Sequence, residues 1–125
     1  MQRKASAIWY GTLKEGNGTI STESGVLKDT QYSFHSRFEN GKGTNPEELI
    51  AAAHAGCYSM ALGNVLTNAK LPPESIETTA DVTLEKLEAG PTVTKIHLTT
   101  RAKVPGASKE AFNTEDPDAQ VNCPI

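Results

Sequence analysis

The sequence predicts an α+β domain, and three observations carry that reading. Both halves contain stretches that alternate apolar with polar side chains, the period of a half-buried strand. Between them lies one long, weakly polar run with a strong helix start and no internal proline. The chain is 125 residues long, which suits one core and leaves little room for a second; the whole of 1–125 reads as a single domain.

The elements follow in order. Ala5 to Leu13 reads as a strand with Trp9 and Tyr10 as its bulky members, and Gly16-Asn17-Gly18 is a hairpin turn signal. Thr19 to Leu27 and Gln31 to Phe38 read as two further strands. In the second of these, Tyr32, Phe34, Ser36 and Phe38 share one face, with His35 and Arg37 on the other. The period then changes. Asn45 is a capping residue, Pro46 suits a first helical turn, and Glu47 and Glu48 sit well against the positive end of the helix dipole, Glu48 also completing a box-like cap. This helix is expected to reach about Ala69, where Pro72 and Pro73 forbid continuation. Ile50, Ala53, Cys57, Ala61 and Asn64 fall on one stripe of it, in a neighbourhood made small by Ala51, Ala52, Ala53, Ala55 and Gly56. Ile76, Thr78, Ala80, Val82 and Leu84 then alternate with polar residues as a half-buried strand. A turn at Ala89-Gly90-Pro91 leads to a partner strand carrying Ile96, Leu98, Ala102 and Val104. Ser108 to Phe112 begins a helical pattern that Asp116-Pro117-Asp118 breaks.

Composition narrows the class of function. The net charge is -3 and no run of Lys or Arg forms a stripe, which argues against a nucleic-acid partner. The N-terminus MQRKASAIWY lacks the apolar core of a secretory signal. Leu49 to Leu66 is interrupted by His54, Ser59 and Asn64, so it reads as amphipathic and not as a membrane span. A cytoplasmic protein is the expectation. In that compartment two cysteines ask for an explanation other than a structural disulfide.

Cys57 lies deep in the expected helix, where a cysteine is most often an inert core residue. A reactive role requires the thiolate. The helix dipole acts mainly within the first turn, and Cys57 is three turns in. From Gly43 to Ala69 there is no Lys or Arg, so a stabilising cation must come from another segment. Of Arg3, Arg37 and Arg101, Arg37 stands out between Phe34 and Phe38, and Glu47 is a natural carboxylate to orient it. Cys123, 66 positions from Cys57, could trap a sulfenic acid as a disulfide, although spacing alone does not bring the two together. His54, three residues before Cys57, leaves two alternatives open. It could act as the base of a Cys/His hydrolase, or join Cys57, Cys123 and His97 around zinc.

The segment GTNPEELIAAAHAGCYSMAL, Gly43 to Leu62, strongly resembles the family of osmotically inducible protein C and the organic hydroperoxide resistance proteins. STESGVL, YSFHSRFE, ETTADVTLEK and VTKIHLT also look like the osmotically inducible branch, and Cys123-Pro124 resembles the family's second cysteine motif. The resemblance implies an intertwined homodimer of α+β subunits in which antiparallel sheets wrap around long central helices. It implies reduction of organic hydroperoxides, and more weakly hydrogen peroxide, with no metal or organic cofactor. An external dithiol such as a lipoylated protein would be the reductant. Cys57 matches the peroxidatic cysteine, Cys123 the resolving cysteine, Arg37 the activating arginine and Glu47 its carboxylate partner. The sequence departs from the family in having no strand beyond the second cysteine, and in an unusual segment from Asn113 to Asn122.

Spacing adds one inference. Glu47 and Cys57 are ten residues apart, about 15 Å of rise on a continuous helix. One arginine hardly reaches both on the same straight helix, so the expectation is that Glu47 of one chain serves the thiol site of the other. The main rival is a redox sensor or thiol-dependent binding protein, in which Cys57 is oxidised without efficient turnover.

Overall fold

The computed structural model describes residues 1–105. Cys123 and the expected helical pattern at Ser108 to Phe112 lie outside the described residues. The chain forms two compact units, Met1–Leu49 and Ile50 onward.

In the first unit, β1 (Ala5–Tyr10), β2 (Asn17–Thr22) and β3 (Thr30–Tyr32) form an antiparallel sheet in that order. Residues 11–16 link β1 to β2, with Gly11 at a φ of 89° and Gly16 N donating to Thr12 O at 2.8 Å. The expected strand from Thr19 to Leu27 is cut short at Thr22. There the chain folds back on itself: Thr22 N donates to Leu27 O at 2.9 Å, and Leu27 N donates to the Thr22 hydroxyl at 3.1 Å.

The larger correction concerns Gln31 to Phe38, which was expected to be one strand. Pairing stops at Tyr32, and α1 (Phe34–Phe38) follows. Ser33 and Ser36 start this helix by a reciprocal cap. The Ser33 hydroxyl accepts from Ser36 N at 3.2 Å, and the Ser36 hydroxyl accepts from Ser33 N at 2.8 Å. Arg37 therefore sits on a helix, and the proposed division of faces does not hold. Phe34 and Phe38, four residues apart, stack with ring centroids 4.9 Å apart. Beyond α1 the chain returns to β3, where Thr44 N donates to Gln31 O at 2.9 Å. Gly43, at a φ of 106°, is required here, because a Cβ would strike the Gln31 carbonyl.

The helix α2 (Pro46–Asn68) begins in the first unit and continues into the second. Its start matches the sequence: Asn45 Oδ1 accepts from Glu48 N at 2.7 Å. The box-like role of Glu48 is not seen; its carboxylate accepts from the Thr44 hydroxyl at 2.9 Å. The helix ends in a Schellman turn. Leu71 N donates to Leu66 O at 2.8 Å and Lys70 N to Thr67 O at 3.0 Å, with Lys70 at a φ of 64° where glycine is usual. Pro72 and Pro73 follow.

In the second unit, β4 (Ser75–Leu87) and β5 (Gly90–Lys103) make a long antiparallel hairpin. Leu87 pairs with Gly90, so the turn is Glu88-Ala89, one residue earlier than expected. Ile76, Thr78, Ala80, Val82 and Leu84 occupy the half-buried face as the alternation required. The core is Tyr58, Leu62, Val65 and Leu66 of α2, packed with Ala61, Ile76, Leu98 and Val104. The Ser59 hydroxyl donates to Ala55 O at 2.8 Å and shares a 2.6 Å hydrogen bond with the Thr78 hydroxyl. The stripe picked out by sequence, Ile50, Ala53, Cys57, Ala61 and Asn64, is for the most part not the face that α2 buries in this core. Ile50, Ala53 and Asn64 are exposed, and Cys57 is half-buried at the border between the two faces. By length and composition α2 is also apolar enough to cross a membrane, but its core face is what closes the second unit.

Candidate active site

The first unit builds its polar site from α1 and the start of α2. The α1 cap aims the helix, and Asn45 ties the two elements together. Asn45 uses both ends of its amide: Oδ1 caps α2, while Nδ2 donates to Ser36 O at 3.1 Å. With the two elements so joined, Arg37 on α1 meets Glu47 in the first turn of α2. Arg37 Nη2 donates to Glu47 Oε1 at 2.9 Å, and Nε lies 3.1 and 3.3 Å from Oε1 and Oε2. The Arg37 side chain is 37% exposed and that of Glu47 only 12%. The carboxylate is therefore a sheltered anchor and the guanidinium a partly open donor.

An ion pair with one open partner adds little to stability, about 0–1 kcal/mol. Its geometry is the more telling property. A two-nitrogen grip fixes the plane of the guanidinium. It uses Nε and Nη2 and leaves Nη1 without a partner among the described residues. Arg37 also lies over the Phe38 ring, its Cζ 5.3 Å from the centroid. The result is a guanidinium held in place, with one nitrogen left over to donate to an anion.

The second unit carries Cys57 in the middle of α2, beside the exposed Gly56 and one turn from the exposed Ala53. His54 is half-buried, and its Nδ1 is enclosed without a hydrogen-bond partner among the described residues. His97 is exposed on β5, opposite Asp81 in register. Among the described residues no three His, Cys, Asp or Glu side chains gather as a metal site.

Of the four residues singled out by sequence, Arg37 and Glu47 are brought together. Cys57 is placed on the same long helix as Glu47, and Cys123 lies outside the described residues. Ser33, Ser36 and Asn45 position the ion pair and escaped notice in that role. The signal was present as Ser-x-x-Ser before the arginine and Asn-Pro-Glu-Glu after it, but the first was masked by an alternation that imitates a strand.

Comparison with known proteins bears on the chain as a whole. A family model described as OsmC-like protein matches residues 39–125. The chain is 50% identical to peroxiredoxin OsmC of Escherichia coli (strain K12) over 125 residues, spanning 100% of this chain and 87% of that protein. Among solved structures, the organic hydroperoxide resistance protein OhrB of Bacillus subtilis superposes with a TM-score of 0.68 at 26% identity, covering 97% of this chain and 86% of that one. An OsmC-like protein of unknown function from Vibrio cholerae O1 gives a TM-score of 0.74 at 20% identity, over 98% and 90% of the two chains, and speaks to the fold alone.

Proposed function

This chain belongs to the OsmC-like protein family and is a peroxidase; from that premise we propose that it reduces organic hydroperoxides through Cys57, with Arg37, Glu47 and Cys123 as its partners in the reaction. The observation that carries the reading is the Arg37–Glu47 pair, which fixes a guanidinium and leaves Nη1 to hold an anion.

The cycle is as follows. Arg37 stabilises Cys57 as the thiolate. The sulfur attacks the hydroperoxide oxygen distal to the organic group, an S–O bond forms and the O–O bond breaks. Cys57 becomes a sulfenic acid, and the departing alkoxide takes a proton and leaves as the alcohol. Arg37 offsets negative charge on that oxygen as it develops. The Cys123 thiol condenses with the sulfenic acid, releasing water and forming a disulfide. An external dithiol reduces this disulfide by two exchanges and is itself oxidised to a disulfide. No metal or organic cofactor takes part, and the cytoplasm is the proposed compartment.

The rise between Glu47 and Cys57 along α2 gives this reading its quaternary form. We propose that two chains pair through the exposed small-residue face of α2, so that Arg37 and Glu47 serve Cys57 of the partner subunit. Ala52, Ala53 and Gly56 are exposed on that helix, and Met60 is 79% exposed, which suits close backbone approach by a second helix.

The test is peroxide consumption with a dithiol by the wild-type chain, Cys57→Ser and Cys123→Ser. Cys57→Ser is expected to lose the first oxidation. Cys123→Ser is expected to keep it and form no internal disulfide. One oxidation per chain followed by silence in the wild type would make the protein a sensor instead. Mixing Arg37→Gln chains with Cys57→Ser chains should restore activity if the site is shared between subunits.

A further inference from the structure

The cycle above leaves one proton without a source. The sulfur attacks as a thiolate, so it brings none to the departing alkoxide. An alkoxide is about as basic as hydroxide, whose parent water has a pKa of ~15.7, so it leaves readily only when a proton reaches it. The Arg37 guanidinium stays protonated and offers a hydrogen bond alone. Histidine is the side chain that gives and takes a proton near neutral pH, and α2 places one beside Cys57. Across residues 49–69 the titratable side chains are His54, Cys57 and Tyr58, and Tyr58 is sealed in the core at 2% exposure. The strand residues packed against this helix, Ile76, Leu98, Val104 and Thr78, carry no charge. His54 and Cys57, three apart, are neighbours on the helix surface, with Cβ atoms about 5–6 Å from each other. Helical side chains lean toward the helix start, so the Cys57 sulfur leans over the turn that carries His54. Cys57 therefore has the exposed Ala53 and Met60 on one flank and His54 on the other. His54 Nδ1 is also enclosed with no hydrogen-bond partner among the described residues. Folding alone gives no reason to keep a polar atom in that state, and a catalytic role does.

We propose that His54 is the proton carrier of the peroxidase step. It takes the proton that the Cys57 thiol sheds on becoming the thiolate, and it gives one to the alkoxide as the O–O bond breaks. The proposal rests on the peroxidase reading above and adds a residue to it. Both ring nitrogens are used. Nδ1, the nitrogen nearer the main chain and the enclosed one, receives the thiol proton. Nε2 delivers a proton to the departing oxygen, directly or through one water. The balance closes: thiol and hydroperoxide become the sulfenic acid, which keeps the distal O–H, and the alcohol, which carries the proton from Nε2. His54 has taken one proton and given one, so it ends the step with the charge it had at the start. The two tautomers of its ring then interconvert through water. Arg37 supplies charge in this scheme and His54 supplies the proton.

A peracid separates this role from a structural one. Its leaving group is a carboxylate, which departs without a proton, whereas an alkyl hydroperoxide releases an alkoxide. The experiment follows loss of the first thiol in the full-length reduced protein, in a single turnover without dithiol. The oxidants are cumene hydroperoxide and peroxyacetic acid, and the chains are wild type, His54→Gln and His54→Asn. Neither amide can carry a proton between acid and base, and a variant that still reacts with the peracid is folded. Oxidation by cumene hydroperoxide should slow about 100-fold in both variants, with peroxyacetic acid changed less than about threefold. Added imidazole should return part of the lost rate. The wild type should slow in heavy water with cumene hydroperoxide and not with peroxyacetic acid. Equal slowing of both oxidants by the substitutions, or slowing of neither, overturns the assignment and leaves the peroxidase reading standing. So does a wild type indifferent to heavy water with cumene hydroperoxide, a result that holds even where both variants misfold. A wild type whose Cys57 neither oxidant touches sinks the peroxidase reading itself, and the proposal with it.

Discussion

The two faces of α2 both carry apolar residues and do different work. One face, Tyr58, Leu62, Val65 and Leu66, is sealed against the β4–β5 hairpin. The other, with Ile50, Ala53, Gly56 and Met60, is as apolar but open, and Cys57 sits at its border. The difference is one of size and partner. The sealed face carries large side chains that fill a core; the open face carries mostly small ones that keep a backbone approachable. A helix with apolar residues on two sides is stabilised by one and leaves the other available.

Four substitutions would break or sharpen that contrast. The largest effect is expected from Cys57→Ser, which should remove hydroperoxide reduction altogether while moving the melting temperature little; a large loss of stability would make Cys57 part of the core instead. Leu62→Ala, at a position with 0% exposure, should cost about 2–5 kcal/mol in a denaturant titration, because a buried cavity is left behind. Ala53→Arg on the open face should break the proposed pairing of two chains and lower the mass seen in analytical ultracentrifugation. An unchanged mass would mean that this face pairs with nothing. The smallest effect should come from Asn45→Ala, about 1 kcal/mol for a lost cap. It should also lower peroxidase activity, because Asn45 joins α1 to α2 through Ser36 O.

How far the sequence reached can be judged at particular residues. The limits of α2 were legible because they are local: Asn45 and Pro46 start it, and Pro72 and Pro73 forbid it to continue. Which face it buries was not legible. Apolar residues occur on both sides, so periodicity alone could not choose, and the partner hairpin decided. The Arg37 segment failed for a related reason. Tyr32, Phe34 and Phe38 are compatible with a period of two, yet Phe34 and Phe38 are also four apart, and the Ser33–Ser36 cap tips the balance to a helix. Strand β4, by contrast, alternates from Ile76 to Leu84 with no competing period, and its half-buried residues were read correctly, whereas Ile96 on β5, expected on the phase of Leu98, is exposed. The Arg37–Glu47 pair was expected from resemblance and from charge logic. Its geometry depends on Asn45 using both ends of its amide, a contact between elements that no local pattern announces.

The central claim is that the guanidinium of Arg37, oriented by Glu47, keeps the Cys57 sulfur ionised. The most direct measurement is the ultraviolet thiolate absorbance of folded Cys123→Ser, titrated with pH, compared with the same variant carrying Arg37→Gln. The account predicts a thiolate already formed at neutral pH, and a titration displaced to higher pH when the guanidinium is gone, since the charged form has then lost its counter-charge. A Cys57 still protonated at neutral pH, or a titration indifferent to Arg37, would contradict it.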